Sequence, residues 1–207
     1  MLLVAALCVL SACSSDDGDE PAPAGSTTTI APTGTTVSTT TSTTAPNTTT
    51  TAPCRTLGAT GSVTTAATGS PALLRDVGAA RLRCADRVSF DFTTEANGKP
   101  KCTIGYAQPP FTMDGSGKPV TVAGSAFVQV RCEPAYGYDF ETGTTTYTGP
   151  KQITATGTQH VRQLVETGDF EGVLSWVIGL DAQRPFTVAT AAVTGPQAQT
   201  RLAIRFF

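Results

Sequence analysis

The first quarter of the chain has a composition that cannot supply a folded core. From Ser14 to Pro53 the residues are almost entirely Thr, Ser, Pro, Ala and Gly, and neither a strand period nor a helix period runs through them. Ordering such a segment would cost backbone entropy without burying apolar surface in return. We therefore predict a disordered linker over residues 13–53, with a root-mean-square span of roughly 35 Å.

A short apolar run stands ahead of this linker. Residues Leu2 to Leu10 form nine consecutive apolar positions, which suits the core of an export signal, whereas a spanning helix needs about 20 such residues. Leu10-Ser11-Ala12-Cys13 then leads into an abruptly polar stretch. This order resembles the lipobox of bacterial lipoprotein signals, which implies a signal peptide over residues 1–12 and a lipid on Cys13.

The start of the signal departs from the usual pattern, because no Lys or Arg precedes the apolar run. We expect the true start to lie several codons upstream, so that the signal is truncated here. Each lipid methylene that enters the bilayer contributes ~0.8 kcal/mol, and two or more chains hold a protein durably. The exported protein is thus predicted to stay anchored on the extracytoplasmic face of the cell membrane.

Four cysteines remain after the signal is removed and Cys13 is lipidated, and they are Cys54, Cys84, Cys102 and Cys132. An even number in an exported domain predicts two disulfides, for which three pairings exist. The cysteines are spaced by 30, 18 and 30 positions, whereas zinc sites use close pairs, so no metal site is expected.

Strand parity favours one of the three pairings slightly. Cys102 would share a face with Ile104, and Cys132 would share one with Val130, so both cysteines are predicted to point into a core. A Cys102–Cys132 disulfide would leave Cys54 and Cys84 to pin the end of the linker to the domain.

Strand signals dominate after residue 60, and no segment shows a long helical period with caps. Val88, Phe90 and Phe92 alternate with polar residues, and Val173 to Leu180 reads as a strand that is covered on both faces. Turns are predicted at Asn97-Gly98 and at Asp114 to Pro119. Further strands are predicted at 102–106, 120–122, 126–132, 160–165, 185–190 and 202–207. We predict an all-β, β-sandwich-like single domain of about eight to ten short strands over residues 54–207.

Several of these segments resemble the AMIN-like domain of actinobacterial secreted lipoproteins. The segments are Asp86–Phe92, Asp114–Val120, Gly124–Val130, Thr167–Asp181, Arg184–Val188 and Arg201–Ile204. The Gly-Asp-Phe-Glu-Gly stretch that leads to Trp176 is the most specific of them. The resemblance implies a β-sandwich-like module in the cell envelope, because related AMIN domains target proteins to the wall by contacting peptidoglycan. Arg205 stands where the family usually has Asp, and three of the cysteines occupy positions where cysteine is not typical.

Charge gives no reason to expect a nucleic-acid partner. From Arg55 onward the chain has fourteen basic and twelve acidic residues, a net charge of +2, and nucleic-acid binding calls for a basic stripe on one face. Four arginines cluster between residues 75 and 87, and a solvated edge strand is favoured over an anionic-ligand patch. These are Arg75, Arg81, Arg83 and Arg87.

No residue pattern predicts a reaction centre or a cofactor. His160 is the single histidine and is expected on the surface of a strand, without a second histidine or free cysteine to work with. Asp169 and Glu171 would project to one side of an extended chain, but flanking glycines favour a turn over a carboxylate pair that cleaves glycans. Asp114-Gly115-Ser116-Gly117 lacks most of the ligands of a calcium loop.

The best predicted ligand surface is an aromatic segment. Flat rings stack on sugar faces, and exposed aromatic side chains are costly unless they are used. The residues are Tyr136, Tyr138, Phe140 and Tyr147, with membership of the core as the competing interpretation. We predict a non-enzymatic module that binds peptidoglycan or an envelope protein. The alternatives are a wall-glycan hydrolase that uses carboxylates and a purely structural subunit of an envelope complex.

Overall fold

The computed structural model describes residues 53–68, 71–93, 99–194 and 198–207. Cys13, the predicted signal and nearly all of the predicted linker therefore lie outside the described residues, as does the predicted Asn97-Gly98 turn.

The described residues form fifteen strands and no helix. Eight strands have seven or more residues: β2 (Ala72–Arg81), β3 (Asp86–Thr93), β4 (Lys101–Ala107), β7 (Ala126–Glu133), β12 (Val161–Phe170), β13 (Val173–Leu180), β14 (Phe186–Val193) and β15 (Gln199–Phe206). Seven are only two or three residues long: β1 (Val63–Thr64), β5 (Phe111–Thr112), β6 (Pro119–Val120), β8 (Ala135–Tyr136), β9 (Tyr138–Asp139), β10 (Thr144–Thr145) and β11 (Gln152–Thr154).

Two large sheets contain most of these strands. One sheet has six strands in the order β1-β4-β7-β13-β12-β11, and the other has five in the order β14-β15-β3-β2-β8. All neighbours are antiparallel except β2 and β8, which pair in parallel at Ala72 and Leu73 only. The predicted all-β, sandwich-like architecture is therefore confirmed. The excess over eight to ten strands comes from the very short strands.

The core lies between the two sheets and is built by strand alternation. Val88, Phe90 and Phe92 of β3 are fully or almost fully buried, and the ring of Phe90 meets Trp176 of β13 edge to face with centroids 5.9 Å apart. The other face of β13 is buried too. On that face Val177 packs in a second apolar cluster with Phe111 of the β5–β6 hairpin. The expectation that both faces of β13 are covered is thus confirmed.

Both disulfides join the cysteines that strand parity favours. Cys102 of β4 lies directly opposite Cys132 of β7 and is bonded to it in the core, where the two residues are 0% and 1% exposed. Cys54 is bonded to Cys84 in the β2–β3 turn, so the start of the described chain is attached to the five-stranded sheet.

One buried carboxylate joins the two sheets. Asp86 begins β3, is 0% exposed, and accepts hydrogen bonds from three consecutive backbone N–H groups where β12 begins, those of Gln159, His160 and Val161. Arg81 adds an ion pair at 3.2 Å. Burial alone would raise the pKa of Asp86, but these donors outweigh it and lower the pKa. The residue therefore stays ionised inside the protein and fixes the ends of two strands from different sheets.

All of the described core and both disulfides belong to one compact unit, Thr50–Phe207. A unit that contains its own core can fold on its own, so this segment is the natural domain for solution work. Within the described residues, no helix has the length and apolarity needed to cross a membrane.

Candidate ligand-binding site

A small hairpin carries the aromatic segment away from the sheets. Strands β9 and β10 pair at Asp139 with Thr144 and at Tyr138 with Thr145. The turn between them is built by the Asp139 carboxylate, which accepts hydrogen bonds from the Glu141 backbone N–H at 2.9 Å and from the Thr142 hydroxyl at 2.7 Å. The Thr142 hydroxyl is the main reason that the pKa of Asp139 is lowered. This turn presents Phe140 at the tip of the hairpin.

Three aromatic rings form a surface cluster at this hairpin. Phe140 is 71% exposed and packs edge to face against both Tyr136 and Tyr138, with ring centroids 5.1 Å apart in each case. We call these three residues the aromatic cluster. Tyr138 is itself 37% exposed, so the cluster offers apolar ring surface to solvent at a position that the hairpin turn holds in place.

A groove of about 370 Å³ runs beside the aromatic cluster. Its walls combine aromatic and aliphatic side chains with two carboxylates and are formed by Pro71, Leu73, Thr93, Tyr136, Asp139, Phe140 and Glu141. Ring faces next to a few convergent polar groups are the usual composition of a small-ligand site. The groove can therefore accept a ligand that has both an apolar face and hydroxyl or amino groups.

Tyr147 does not belong to this surface. It is 7% exposed, its ring packs on Trp176 with centroids 5.7 Å apart, and its hydroxyl donates to the Pro150 carbonyl at 2.8 Å. Burial raises its pKa to about 12. Tyr147 is therefore a core residue, which was the competing interpretation of the aromatic segment. Its contacts anchor the chain that follows the hairpin.

The turn between β12 and β13 supports the aromatic cluster from below. Asp169 accepts a hydrogen bond from the Gly137 backbone N–H at 2.9 Å, and the Gly172 carbonyl accepts one from Ala135 at 3.0 Å. A Cβ on Gly172 would lie 2.9 Å from the Tyr136 hydroxyl, closer than such contacts occur. The Gly-Asp-Phe-Glu-Gly stretch thus positions the aromatic residues through its backbone, its carboxylate and its lack of a side chain.

The surroundings of Asp169 and Glu171 differ from those of a catalytic carboxylate pair. Both are exposed, and Glu171 occupies the tight turn with φ of 48°, next to Gly172. Acid catalysis of glycoside cleavage requires one carboxyl group to be desolvated so that it keeps its proton. This placement gives Asp169 a positioning role and offers no support for the pair as a hydrolytic site.

The expectation that His160 lies on the surface is wrong. Its residue exposure is 7%, and its ring nitrogen Nδ1 lies 3.2 Å from Oδ2 of Asp181. Arg184 also donates to Asp181, at 2.9 Å from Nη2. Burial would raise the pKa of Asp181, but the hydrogen bonds from Arg184 and His160 outweigh it and lower the pKa to about 2. The histidine is thus held in a structural ion cluster beside the Asp86 contact.

The arginines that cluster in the sequence do not form one patch. Arg75 donates to the Thr93 hydroxyl at 2.7 Å at the far end of β3, Arg81 turns inward to Asp86, and Arg87 points outward near the start of β3. Arg75 and Arg81 lie on β2, which is an edge strand beyond its two-residue pairing with β8, whereas Arg87 lies on the central strand β3 and does not fit the predicted edge strand. Among the described residues, no three His, Cys, Asp or Glu side chains are grouped so that they could hold a metal ion.

The geometry defines a disulfide-bonded, all-β module that exposes an aromatic groove at one end of its sandwich. The family model of the AMIN-like domain matches residues 72–206, so the chain belongs to the AMIN-like domain family. This membership indicates a binding role related to the cell envelope. No curated protein and no solved structure matches the chain significantly.

Proposed function

We propose that this protein is an exported lipoprotein whose AMIN-like domain binds cell-wall peptidoglycan, without catalysis, through the aromatic cluster and its groove. The observation that carries the proposal is the exposure of Phe140, which is 71% accessible although a turn and two tyrosine rings fix its position. Exposure of a rigidly held phenylalanine ring to water is unfavourable in free energy, and a ligand that covers the ring removes this cost.

The chemistry of the groove suits a glycan. The C–H face of a sugar ring packs on Phe140 and Tyr136, and the sugar hydroxyls donate to carboxylates at the rim, where Glu141 lies. Rigid aromatic rings lose little conformational entropy on binding, so ring contacts at this site convert efficiently into affinity. The support from Asp169 keeps the loop in one arrangement before the ligand arrives.

Replacing Phe140 with Ala should weaken retention on the wall. We expect the apparent dissociation constant of the domain (residues 50–207) for purified, insoluble peptidoglycan to rise about tenfold or more, because a central aromatic anchor contributes more than 1 kcal/mol. The measurement is a co-sedimentation isotherm at neutral pH.

Phe170→Ala is the matched control for this experiment. Phe170 is 51% exposed but packs against Gly115 of the β5–β6 turn and does not line the groove. We expect its affinity to equal that of the unsubstituted domain. Equal retention of both variants would refute glycan binding at the aromatic cluster and direct the search to a protein partner.

The anchor and the linker give this binding site its location. A lipid on Cys13 would fix one end of the chain at the membrane, and a linker over residues 13–53 would let the domain reach the inner layers of the wall. The disulfides suit the oxidising outside of the cell.

Cys13→Ser should release the protein from the membrane. When the chain is expressed in a bacterium behind a basic signal start, we expect the unsubstituted protein in the detergent phase of a phase separation. The serine variant, which cannot take a thioether-linked lipid, should move to the aqueous phase. A variant that remained with the detergent would contradict the proposed anchor.

A further inference from the structure

The outer face of the five-stranded sheet places two arginines side by side. Arg205 of β15 is the direct antiparallel partner of Arg87 of β3, and both alternate with core residues, so that both side chains point outward. Residues in this relation have Cβ atoms about 5 Å apart, and like charges there destabilise a sheet.

The acids of this face, Asp91 and Asp76, lie two residue pairs away from the arginine pair along β3 and β2. Asp91 lies further along β3, and its two carboxylate oxygens accept hydrogen bonds from Arg201 at 2.6 Å each. In the part of the chain that the structure describes, neither Arg87 nor Arg205 has a carboxylate partner. The Nε–H of Arg87 is in addition shielded from water and has no acceptor. An unmade hydrogen bond of this kind is costly, so a movement of the flexible Arg87 side chain that gave its Nε–H an acceptor from solvent would be favoured.

The surroundings leave the pair open to a ligand. Ala80 stands beside Arg87 and Thr187 beside Arg205, while Ser89 and Ala203 form the next row of the same face. These side chains are short, and those of Ser89 and Thr187 carry hydroxyls that can donate. Arg205 is exposed and Arg87 is partly exposed, so an anion can approach the charged pair from solvent.

We propose that Arg87 and Arg205 form a binding site for a phosphate group. A guanidinium group can donate two parallel hydrogen bonds either to a carboxylate or to a phosphate. One arginine, however, already satisfies both oxygens of a carboxylate. A phosphate has enough oxygens for both forks at once and can offset both charges. The site lies at the opposite end of β3 from Thr93, which lines the aromatic groove, and does not depend on the glycan proposal.

The test follows the arginine side chains directly. The domain (residues 50–207), labelled with nitrogen-15, is titrated with inorganic phosphate at constant ionic strength, with chloride as the reference salt. We expect saturable shifts of the Nε–Hε signals of Arg87 and Arg205 and no comparable shift at Arg131. Shifts that grow without saturation, or that chloride reproduces, would overturn the proposal.

Arg205→Asp provides the decisive variant. It should create an ion pair with Arg87 like that of Asp91 with Arg201, and it should weaken phosphate binding at least about tenfold. Arg205→Gln removes the charge without adding an ion pair and should weaken binding similarly, which separates loss of the site from any change in stability. Lys118→Asp reverses a charge in the same way in the exposed β5–β6 turn and should leave binding unchanged. Equal losses of binding in Arg205→Asp and Lys118→Asp would show a general charge effect and rule out the site.

Two further arms identify the source of the phosphate. Soluble poly(glycerol phosphate) represents a wall polymer, and vesicles of phosphatidylglycerol in phosphatidylcholine represent a lipid headgroup. Arg205-dependent binding in either arm supports the proposal and names its ligand. Binding that persists unchanged in Arg205→Asp in both arms would contradict it.

Discussion

Replacing Asp86 with Ala should lower the free energy of unfolding of the domain by about 3 kcal/mol or more, because three backbone N–H donors, those of His160 and Val161 in buried hydrogen bonds, would lose their acceptor. The donors lie at the start of β12 in one sheet, and Asp86 belongs to β3 in the other. The substitution thus removes a link between the two sheets. Urea unfolding of residues 50–207 at neutral pH, with both disulfides intact, measures the loss.

Two variants calibrate this result. Asp86→Asn keeps one acceptor oxygen and should lose less stability than the alanine variant. Asp76→Ala removes an exposed carboxylate from β2 and should change the free energy by less than about 0.5 kcal/mol. If Asp86→Ala and Asp76→Ala were equally stable, the carboxylate would not have the linking role described above.

The acid limb of the stability curve provides a second readout for the same residue. The backbone donors and Arg81 lower the pKa of Asp86 below its ordinary 3.8, although burial alone would raise it. A lowered folded-state pKa means that the stabilisation is complete above the unfolded-state value and is lost as the pH falls through the folded-state value. Asp86→Asn should therefore flatten the fall in stability below about pH 4.

The two disulfides should differ in what their removal costs. Both span 30 residues, so the entropy model assigns each about 3–4 kcal/mol. Cys102 and Cys132 are buried in the core, whereas Cys54 is exposed. Replacing the core pair with alanine also leaves a cavity and should add about 1–2 kcal/mol to the loss.

The measurement is urea unfolding of the Cys102→Ala/Cys132→Ala and Cys54→Ala/Cys84→Ala variants under identical conditions. The common loop length makes each variant the control of the other. Equal losses, or a larger loss for the outer pair, would contradict the packing role assigned to the core disulfide.

Strand alternation is the property through which the sequence predicts this fold best. It places Phe90, Cys102 and Cys132 in the core, and its absence from the continuous apolar run of β13 identifies a strand that is covered on both faces, as the structure confirms. Strands of two residues, such as β9 and β10, contain no period and depend on hydrogen bonds across the loop. The aromatic hairpin is for that reason not visible as a hairpin in the sequence.

The candidate site is predictable only in part, because burial of single side chains depends on tertiary contacts. Phe140 and Tyr147 lie in the same polar-aromatic segment, yet one is exposed at a turn and the other packs on Trp176. His160 is buried by contacts from Asp86 and Asp181 that no local pattern reveals.

A signal for Asp86 does exist in the sequence. Asp86 has the same strand parity as Val88 and Phe90, so its carboxylate is expected to face the core. A buried carboxylate needs hydrogen-bond donors or a cation there. The Arg87–Arg205 pair has no such signal, because only the register of β3 against β15 brings these residues together.

In the proposed function, the aromatic cluster is the surface through which the domain binds the wall. Chemical-shift mapping with soluble peptidoglycan fragments tests it most directly, because every residue of the domain reports at once. We predict saturable shifts concentrated on the side-chain signals of Tyr136, Tyr138 and Phe140 and on the backbone of Asp139 and Glu141. Saturable shifts confined to another surface, with the aromatic signals unchanged, would contradict the account.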